Sequence, residues 1–311
     1  MKDILSTVPS LVGKVAIITG GTAGLGLCSA IELASKGAHV IIGARSETRA
    51  QEAIVKIKAA IRDKNANTTN TIEPIIEFGI TDHEDLRSIV AFADWFLAKQ
   101  LPLHILMCNA GVAATPFKLI EGIESQLFIN HVAHQCLIER LLPVIISSAP
   151  SRIVLISSDA HRWVNNVIVE PAPTEKTYNG MQAYGASKGA NLLYARYMTR
   201  FLIRQKHQNV YINSVHPGPV ATEISKKAEM SDWMRAIYKF VERCFFKTPE
   251  DAVLTQVYVA ASSEIAEKGV KGAYYVPVAK QTSTKAYVRV DGADEALYKW
   301  TKTKIEQILA K

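Results

Sequence analysis

The chain has 311 residues, of which 48% are hydrophobic and 21% are charged, which is the composition of an ordinary globular protein. Its formal net charge of +7 comes from dispersed basic residues rather than from one basic run interleaved with aromatics, which argues against nucleic-acid binding. No stretch approaches the roughly 20 consecutive apolar residues that a membrane span needs, and no signal-peptide core precedes the first predicted strand. A cytoplasmic location is therefore expected.

The cysteines and the chain length bound the organisation further. Cys28, Cys108, Cys136 and Cys244 are scattered and form no CxxC pair, so we expect reduced thiols and no metal site. An α/β chain of this length often forms one unit with a large core, so a single domain over residues 1–311 is expected. The basic balance suits an anionic cofactor or an acidic membrane surface, and peripheral membrane contact and homodimerisation both stay open.

Short β-branched runs alternate with longer amphipathic segments along most of the chain. Strands are predicted over residues 14–19, 39–42, 72–78, 103–108, 152–156 and 210–215. Helices are predicted over residues 25–36, 47–61, 82–99, 181–204 and 249–261, and a long helix ending at about 142 is predicted after the strand over 103–108. This alternation predicts an α/β fold, a doubly wound parallel sheet of the Rossmann type covered by helices on both faces. The polar stretch 62–70 is predicted to be a surface loop.

A glycine-rich segment joins the first predicted strand to the first helix. Its glycines let the backbone turn sharply and approach a pyrophosphate, while the helix N-terminus offers free amides and a favourable dipole. A flexible strand-to-helix turn is the alternative, because a glycine cluster alone fits that equally well. The position after the first strand, where dinucleotides bind, favours a cofactor site. The residues predicted to form it are Gly20, Thr22, Gly24, Leu25 and Gly26.

The glycine spacing, Gly-x-x-x-Gly-x-Gly, is joined by Asn109-Ala110-Gly111 directly after the fourth predicted strand. With these motifs the sequence resembles the short-chain dehydrogenase/reductase family over roughly residues 13–222. In that family the glycine motif holds the cofactor diphosphate. The resemblance implies that Asn109, Ala110 and Gly111 steady the central sheet beside the adenosine half of the cofactor.

The second predicted strand runs into Ala44-Arg45-Ser46, where an NAD-dependent enzyme would carry an acid on the adenosine ribose. Arg45 could pair bidentately with a 2′-phosphate and Ser46 could donate to it, which favours NADP(H) over NAD(H). A solvated surface arginine is the alternative. Gly79 is a second departure, because the family usually carries there an aspartate that contacts the adenine amino group. The resemblance implies that this contact is missing and that the backbone amide of Ile80 serves the ring.

Tyr184 and Lys188 are four residues apart in a predicted helix, which puts both side chains on one helical face. An adjacent ammonium would lower the phenol pKa from about 10 toward working pH. Tyr298 and Lys302 have the same spacing. No glycine motif, serine or asparagine is arranged around that second pair, so an ordinary exposed helix is expected there.

The predicted strand over residues 152–156 ends in Ser157 and Ser158, at the carboxyl edge where open α/β sheets bind ligands. The resemblance implies that Ser158 orients and polarises the substrate oxygen, whereas Ser157 is expected to cap the strand or bond to backbone. Asn130 lies in an apolar helical stretch, where a buried amide needs a specific partner. The resemblance implies that it holds a water that relays protons through Lys188; a helix-bending asparagine is the alternative.

Two further segments bear on the cofactor and on metals. The turn after the strand over residues 210–215 resembles the family's proline-glycine turn, which holds the nicotinamide carboxamide and sets the exposed ring face. Its matching residues are Pro217, Gly218, Val220 and Thr222. His131 and His134 are expected to be packing or surface residues, because no Cys, Asp or Glu completes a metal set around them.

Residues 159–183 form a 25-residue connection between Ser158 and Tyr184, longer than in compact relatives. Together with Ala44-Arg45-Ser46 and His216-Pro217-Gly218, this substrate loop resembles the retinol-dehydrogenase-like branch, whose members often act on lipophilic carbonyls. The segment 223–248 contains a helical apolar face opposite basic residues, which would suit a lid over an apolar pocket or a helix on an anionic membrane. The lid is favoured, since the family's substrate-binding helix follows this turn.

These features predict an NADP(H)-dependent oxidoreductase that interconverts an alcohol and a carbonyl on a lipophilic small-molecule substrate. Tyr184 would be the acid/base, with Asn130, Ser158 and Lys188 around it. A noncatalytic NADPH-binding sensor or scaffold is the alternative, and the complete set of four residues argues against it. A sugar epimerase is disfavoured by the glycine spacing and by the missing acid after the second strand.

Overall fold

A computed structural model describes residues 4–65, 73–218 and 249–311. The strands are β1 Val15–Thr19, β2 His39–Ala44, β3 Ile76–Ile80, β4 Ile105–Cys108, β5 Leu119–Ile120, β6 Ile123–Glu124, β7 Ser151–Ile156, β8 Val210–Val215, β9 Tyr274–Val276 and β10 Lys280–Thr282. The α-helices are α1 Gly24–Ser35, α2 Glu47–Asn65, α3 Leu86–Ala98, α4 Ser125–Leu127, α5 Ala133–Ser147, α6 Gly180–Arg204, α7 Pro249–Ala261, α8 Ser263–Glu267 and α9 Ala293–Leu309. Short 3₁₀ turns cover Ile4–Thr7, Asp159–Trp163 and Ala286–Arg289, and Phe128–Val132 is a π-helical turn.

Eight of the described strands form one sheet in the order β3-β2-β1-β4-β7-β8-β9-β10. All neighbouring pairs are parallel except β9 and β10, which pair antiparallel at the edge. The chain winds outward from β1 in one direction through β2 and β3, and in the other through β4, β7 and β8. The predicted doubly wound parallel sheet is therefore confirmed, and its switch point, where such sheets bind ligands, lies between β1 and β4.

Helices cover both faces of the sheet, and strand β1 shows why. All five of its side chains are buried, and Ile17 belongs to one hydrophobic cluster whereas Ile18 belongs to the other. The first cluster includes Phe96 of α3 and Leu193 of α6, and the second includes Leu33 of α1. Alternate residues of a strand face opposite sides, so a strand that is apolar throughout must be covered twice.

Several predicted boundaries were wrong. Strand β3 covers Ile76–Ile80 instead of the predicted residues 72–78. Helix α2 continues to Asn65, so the polar stretch predicted as a loop from residue 62 begins inside a helix; the rest of that stretch, from residue 66, lies outside the described residues. No glycine or proline interrupts this helix, and Lys64 pairs with Glu32 of α1. Helix α3 starts at Leu86 rather than at residue 82, because the Asp85 carboxylate caps it by accepting from Arg87 N at 2.8 Å.

The long helix predicted to end near residue 142 is divided by the π-helical turn Phe128–Val132 and ends at Ser147. At this turn the amide of Ala133 bonds to the carbonyl of Phe128, five residues back rather than four. Single π-helical turns occur frequently at functional sites. Asn130, one of the predicted site residues, lies in the middle of this one.

Helix α9 is not the ordinary exposed helix that was expected around Tyr298. The Tyr298 ring stacks on Tyr197 of α6 with centroids 3.9 Å apart, so α9 is packed against α6. This partner lies about a hundred residues earlier in the chain, and the local spacing of Tyr298 and Lys302 gave no sign of it. None of the helices in the described ranges is long and apolar enough to cross a membrane.

Candidate active site

The glycine turn lies at the carboxyl end of β1 and leads directly into α1. An added Cβ at Gly26 would lie 2.5 Å from Asn109 Nδ2 and closer still to the Gly20 carbonyl oxygen, so only glycine fits where the turn folds back on itself. Helix α1 begins at Gly24, and its N-cap residue Ala23 makes no side-chain capping bond. The first amides of α1 thus meet the requirements of an anion site at a helix N-terminus.

Asn109 fastens this turn to the neighbouring strand. Its side-chain amide donates to the carbonyl oxygens of Thr19 at 2.9 Å and Gly20 at 3.3 Å. The hydroxyl of Thr19 accepts in return from the backbone amides of Asn109 and Ala110, both at 2.9 Å. Gly111 follows, and an added Cβ there would lie 3.4 Å from Lys188 Nζ. The carboxyl ends of β1 and β4 are therefore held together at the switch point, close to the predicted catalytic lysine.

Arg45, Ser46 and Ile80 lie at the carboxyl ends of β2 and β3, where Ala44 pairs in register with Ile80. The Arg45 side chain is exposed, and no hydrogen bond or ion pair holds it among the residues that the structure describes. Ile80 is 47% exposed, which leaves its edge of the sheet open to a ligand.

Gly79, which was noted in the sequence as a departure from the family's usual aspartate, is buried under the aromatic rings of α3. An added Cβ would lie 2.5 Å from the Phe92 ring and 2.8 Å from the Trp95 ring. Those two rings stack with centroids 5.8 Å apart, and Phe92 belongs to the core. The missing carboxylate therefore has a packing reason, because the ring of Phe92 occupies the space that an aspartate stem would need.

Tyr184 and Lys188 do share one face of α6, as their spacing predicts. The ammonium of Lys188 lies 5.6 Å from the centroid of the Tyr184 ring and donates to the carbonyl oxygen of Ile156 at 3.1 Å. Helix α6 starts at Gly180 because the Asn179 side chain caps it, accepting from the amides of Met181 and Gln182.

Ser157 and Ser158 have different environments at the end of β7. The Ser157 hydroxyl is buried and donates to the carbonyl oxygen of Lys188 at 2.8 Å, in agreement with the backbone bond expected of it. The Ser158 hydroxyl accepts from the amide of Ala160 at 3.1 Å and also hydrogen-bonds with the Tyr184 side chain. Ser158 is thus the serine of the pair that faces the phenol.

The expected lowering of the Tyr184 pKa is not found. Burial raises the pKa of the Tyr184 phenol above its ordinary value, and the hydrogen bond with Ser158 offsets this only in part. Burial also lowers the pKa of the Lys188 ammonium to about 8, because the site takes the charge out of water. Desolvation is the largest cause of the pKa change in both groups, and the spacing of the two residues does not reveal it.

Asn130 is fully buried in the π-helical turn, and its side chain is fully engaged. Its Oδ1 accepts from the amide of Val112 at 2.8 Å, and its Nδ2 donates to the Val112 carbonyl and to Ser187 Oγ, both at 2.9 Å. The amide thus ties the segment after the Asn-Ala-Gly turn to helix α6, one residue before Lys188.

The proline-glycine turn is described only in part. Pro217 and Gly218 follow β8 at the same carboxyl edge, and an added Cβ at Gly218 would lie 2.8 Å from the Pro277 ring. The predicted residues Val220 and Thr222 and the predicted lid 223–248 lie outside the described residues.

A polar cluster beside Ser158 was not predicted from the sequence. Asp159 accepts a hydrogen bond from Tyr274 Oη at 3.0 Å, pairs with Arg162 at 3.2 Å, and lies 3.7 Å from His216 Nε2. Its carboxylate therefore joins β7 to β9 and to the residue before Pro217. The available signals were its position directly after Ser158 and a histidine directly before the proline-glycine turn.

The first part of the substrate loop is held by the C-terminal segment. Lys285 Nζ donates to the carbonyl oxygens of Arg162 and Val164 and to Asn165 Oδ1, each at 2.8 Å. Tyr287 Oη donates to the carbonyl of His161 at 3.1 Å. These contacts join residues at least 120 positions apart, and no local sequence pattern indicates them.

The sequence profile of the short chain dehydrogenase family matches residues 14–233. Human retinol dehydrogenase 14 is 34% identical over 267 residues, which cover 85% of this chain and 78% of that protein. The short-chain dehydrogenase/reductase drtF of Aspergillus calidoustus is 30% identical over 313 residues, 96% of each chain. In fold, the chain is similar to an uncharacterized protein of Mycobacterium paratuberculosis, with a TM-score of 0.71, 23% identity and 97% of each chain covered. A protein of Beutenbergia cavernae, solved with NADP at low occupancy, has a TM-score of 0.64 at 23% identity, covering 86% of this chain and 96% of that one.

The packing of Gly79 gives a stability prediction. Gly79→Asp is expected to lower the free energy of unfolding by about 1 to 3 kcal/mol, because the new stem must displace the Phe92 ring. Urea unfolding of Gly79→Asp, Phe92→Ala and the double variant would measure this. The cost of Gly79→Asp should shrink in the Phe92→Ala background, where the ring is gone. An equal cost in both backgrounds would contradict the packing explanation.

Proposed function

This chain belongs to the short-chain dehydrogenase family, and on that premise we propose that it is an NADP(H)-dependent oxidoreductase interconverting an alcohol and a carbonyl. The observation that carries the proposal is the convergence of Ser158, Tyr184 and Lys188 at the carboxyl edge of the sheet, next to the glycine turn. That edge, at the switch point, is where doubly wound sheets bind their ligands.

The residues at the switch point fit a dinucleotide. The close approach at Gly26 and the uncapped start of α1 suit a diphosphate, and the fastened Asn109-Ala110-Gly111 turn gives it a rigid wall. Pro217 and Gly218 would flank the nicotinamide end. When bound, NADP(H) supplies or accepts the hydride at C4 of its nicotinamide.

The protein's own part of the reaction is the movement of one proton. In the reductive direction, Tyr184 is protonated at neutral pH because its pKa is raised, and it donates this proton to the substrate oxygen as that oxygen gains charge. The Ser158 hydroxyl, hydrogen-bonded to the phenol, orients and stabilises the same oxygen. The Lys188 ammonium stabilises the phenolate that is left. Asn130, which is buried and bound to Ser187 next to Lys188, completes the proposed catalytic set.

The preference for NADP(H) over NAD(H) rests on Arg45 and Ser46. The Arg45 guanidinium is exposed at the carboxyl end of β2 with no ion-pair partner among the described residues, so it is free to meet an anion. A guanidinium matches the geometry of a phosphate and can bind it bidentately. No acidic side chain stands at this position to repel a 2′-phosphate.

A lipophilic substrate is the further part of the proposal. Several apolar side chains of the substrate loop and of the start of α6 are exposed. They are Trp163, Ile168 and Met181, with 56%, 69% and 40% of their surface exposed. A relative named retinol dehydrogenase points to the same class of substrate. A cytoplasmic location also belongs to the proposal, supported by the free thiols of Cys108 and Cys136.

Tyr184→Phe is expected to lower turnover at least about 10²-fold while NADPH affinity stays within about threefold, because only the proton donor is removed. Reduction of all-trans-retinal and decanal with NADPH measures turnover, and quenching of tryptophan fluorescence measures affinity. Tyr298→Phe is the matched control, since Tyr298 and Lys302 share the spacing but lie away from the glycine turn; its turnover should be unchanged. Retained turnover in Tyr184→Phe would refute the mechanism, and NADPH binding without turnover by the parent protein would favour the sensor alternative.

The buried ammonium predicts a pH dependence. A lysine with a pKa of about 8 keeps its proton below that pH and loses it above, so kcat/KM for reduction should be level near pH 7 and fall as pH rises through about 8. Stopped-flow or steady-state rates between pH 6 and 10 at saturating NADPH would test this. Lys188→Arg keeps its charge over this range and should lose the alkaline fall at a lower overall rate. A level profile to pH 10 in the parent protein would contradict the assignment.

Arg45→Ala is expected to raise the Michaelis constant for NADPH by at least about tenfold and to leave that for NADH nearly unchanged. A charge-assisted bond to phosphate contributes ~1.5 to 3 kcal/mol, and about 1.4 kcal/mol corresponds to a factor of ten. Arg49→Ala, an exposed arginine one turn into α2, is the control and should change neither constant. A parent that prefers NADH, or an Arg45→Ala variant with unaltered NADPH kinetics, would show that Arg45 is only a surface residue.

A further inference from the structure

We propose that His134 is a positioning residue, whose ring sets both the backbone carbonyl of Asn130 and the Asn109-Ala110 turn. This inference rests on the proposed function and adds a residue to the catalytic arrangement described above. His134 lies in the first turn of α5, directly after the π-helical turn, and only 1% of its surface is exposed. From the sequence, His134 was expected to be only a packing or surface residue.

Both ring nitrogens of His134 make hydrogen bonds, one to a residue of the proposed catalytic set and the other to the end of β1. Nδ1 lies 3.0 Å from the carbonyl oxygen of Asn130. Nε2 lies 2.9 Å from the Thr19 hydroxyl and 3.2 Å from Nε2 of His83, a second buried histidine. One side of the ring therefore faces the predicted catalytic set, and the other faces the end of β1.

The hydrogen-bond partners fix where the ring proton lies. A carbonyl oxygen can only accept, so Nδ1 of His134 must donate to Asn130. Burial holds the pKa of His134 well below its ordinary value, so the ring is neutral and carries only that one proton. Nε2 is then an acceptor. The histidine is locked as one tautomer by contacts on both sides.

The acceptor at Nε2 orients the Thr19 hydroxyl. Thr19 Oγ1 already accepts from the amides of Asn109 and Ala110. Its own proton has two acceptors within reach, and His134 Nε2 at 2.9 Å is nearer than the Met107 carbonyl oxygen at 3.5 Å. A single ring thus terminates a chain that runs from the Asn109-Ala110 turn through Thr19 to the carbonyl of Asn130. The cofactor side and the catalytic side of the site are joined by these bonds.

His83, in the turn before α3, contacts the Nε2 side of the His134 ring. Burial lowers its pKa to about 4, with the charge of Arg45 adding to the effect, so it too is neutral. The two rings meet edge to face with centroids 4.7 Å apart. The single lone pair of His134 Nε2 is directed to the nearer Thr19 hydroxyl at 2.9 Å, so a neutral His83 protonated on Nε2 shares it only as a longer second donor, at 3.2 Å. This contact disfavours a tautomer of His134 that carries its proton on Nε2.

The Asn130 carbonyl matters because the rest of Asn130 is already fixed. Its side chain is bound to Val112 and to Ser187, the residue before Lys188. In a π-helical turn the regular backbone ladder is interrupted, so the direction of this carbonyl is not set by the helix alone. The ring of His134 supplies that constraint through its bond to the Asn130 carbonyl.

Two isosteric variants separate the two sides of the ring. In His134→Asn the amide nitrogen overlies Nδ1 and keeps the bond to Asn130, whereas the acceptor for Thr19 is lost. In His134→Gln the amide oxygen reaches the place of Nε2 and keeps Thr19, whereas the Asn130 bond is lost. We expect about a tenfold rise in the NADPH dissociation constant for His134→Asn, and about a tenfold fall in kcat for His134→Gln, the size of one lost hydrogen bond.

The control is His131→Asn, which changes a buried histidine three residues earlier. Its ring contacts Asn191 at 3.3 Å and Thr301 at 3.2 Å, on the side of α6 and α9, and neither kinetic constant should change more than about threefold. A split between the two His134 variants supports the positioning role. Equal effects of both variants on kcat and affinity, or no effect of either, would overturn it, because a purely structural residue gives no split.

Histidine ¹⁵N chemical shifts of the unaltered protein test the same proposal without any variant having to fold. We expect His134 protonated on Nδ1 and His83 protonated on Nε2 at pH 7; a His134 ring protonated on Nε2 would overturn the proposal. This readout and the NADPH affinity require no turnover. Retained activity in Tyr184→Phe would therefore refute the proposed function while these two measurements still decided the role of His134.

Discussion

The burial of one ammonium, that of Lys188, constrains the arrangement of everything around it. Only 4% of this residue is exposed, and no carboxylate pairs with it among the described residues, so the charge depends on dipoles held in place by the fold. The Ile156 carbonyl accepts from the Lys188 ammonium, and the Ser157 hydroxyl donates to the backbone carbonyl of Lys188. Asn130 binds Ser187, the residue before Lys188. A buried charge needs hydrogen-bond partners, and a shift of α6 against β7 would take the ammonium away from the Ile156 carbonyl, so these elements must keep their mutual placement.

Much of the fold could be predicted because its signals are local. The alternation of apolar strands and amphipathic helices was enough for the parallel sheet and for helices on both faces, since each strand must bury two sides. The placement of the site followed from topology: in a parallel sheet the carboxyl ends meet at one edge. The topology alone therefore predicts that the turns after β1, β4, β7 and β8 lie close together.

The features that the sequence did not indicate depend on contacts between distant parts of the chain. Gly79 is glycine because of a phenylalanine on the following helix, and Asp159 and His216 meet only once β7, β8 and β9 are side by side. The π-helical turn at Asn130 is defined by which amide each backbone carbonyl binds, and the sequence does not show this. Tyr184 illustrates a different limit: spacing shows that an ammonium is near the phenol, but the sign of the pKa change depends on how much water both groups lose.

The contacts of Lys285 and Tyr287 with residues 161–165 join the proposed substrate loop to the C-terminal segment. Three hydrogen bonds from the Lys285 ammonium hold the start of the proposed substrate loop. They restrict the conformations of the loop in advance, so a ligand that binds there has less entropy to remove. The loop and the C-terminal segment thus form one exchangeable module. Grafting the loop of a relative onto this scaffold transfers its shape only if the matching residues 283–289 travel with it, and new substrate ranges in such chimaeras would have to arise in both segments together.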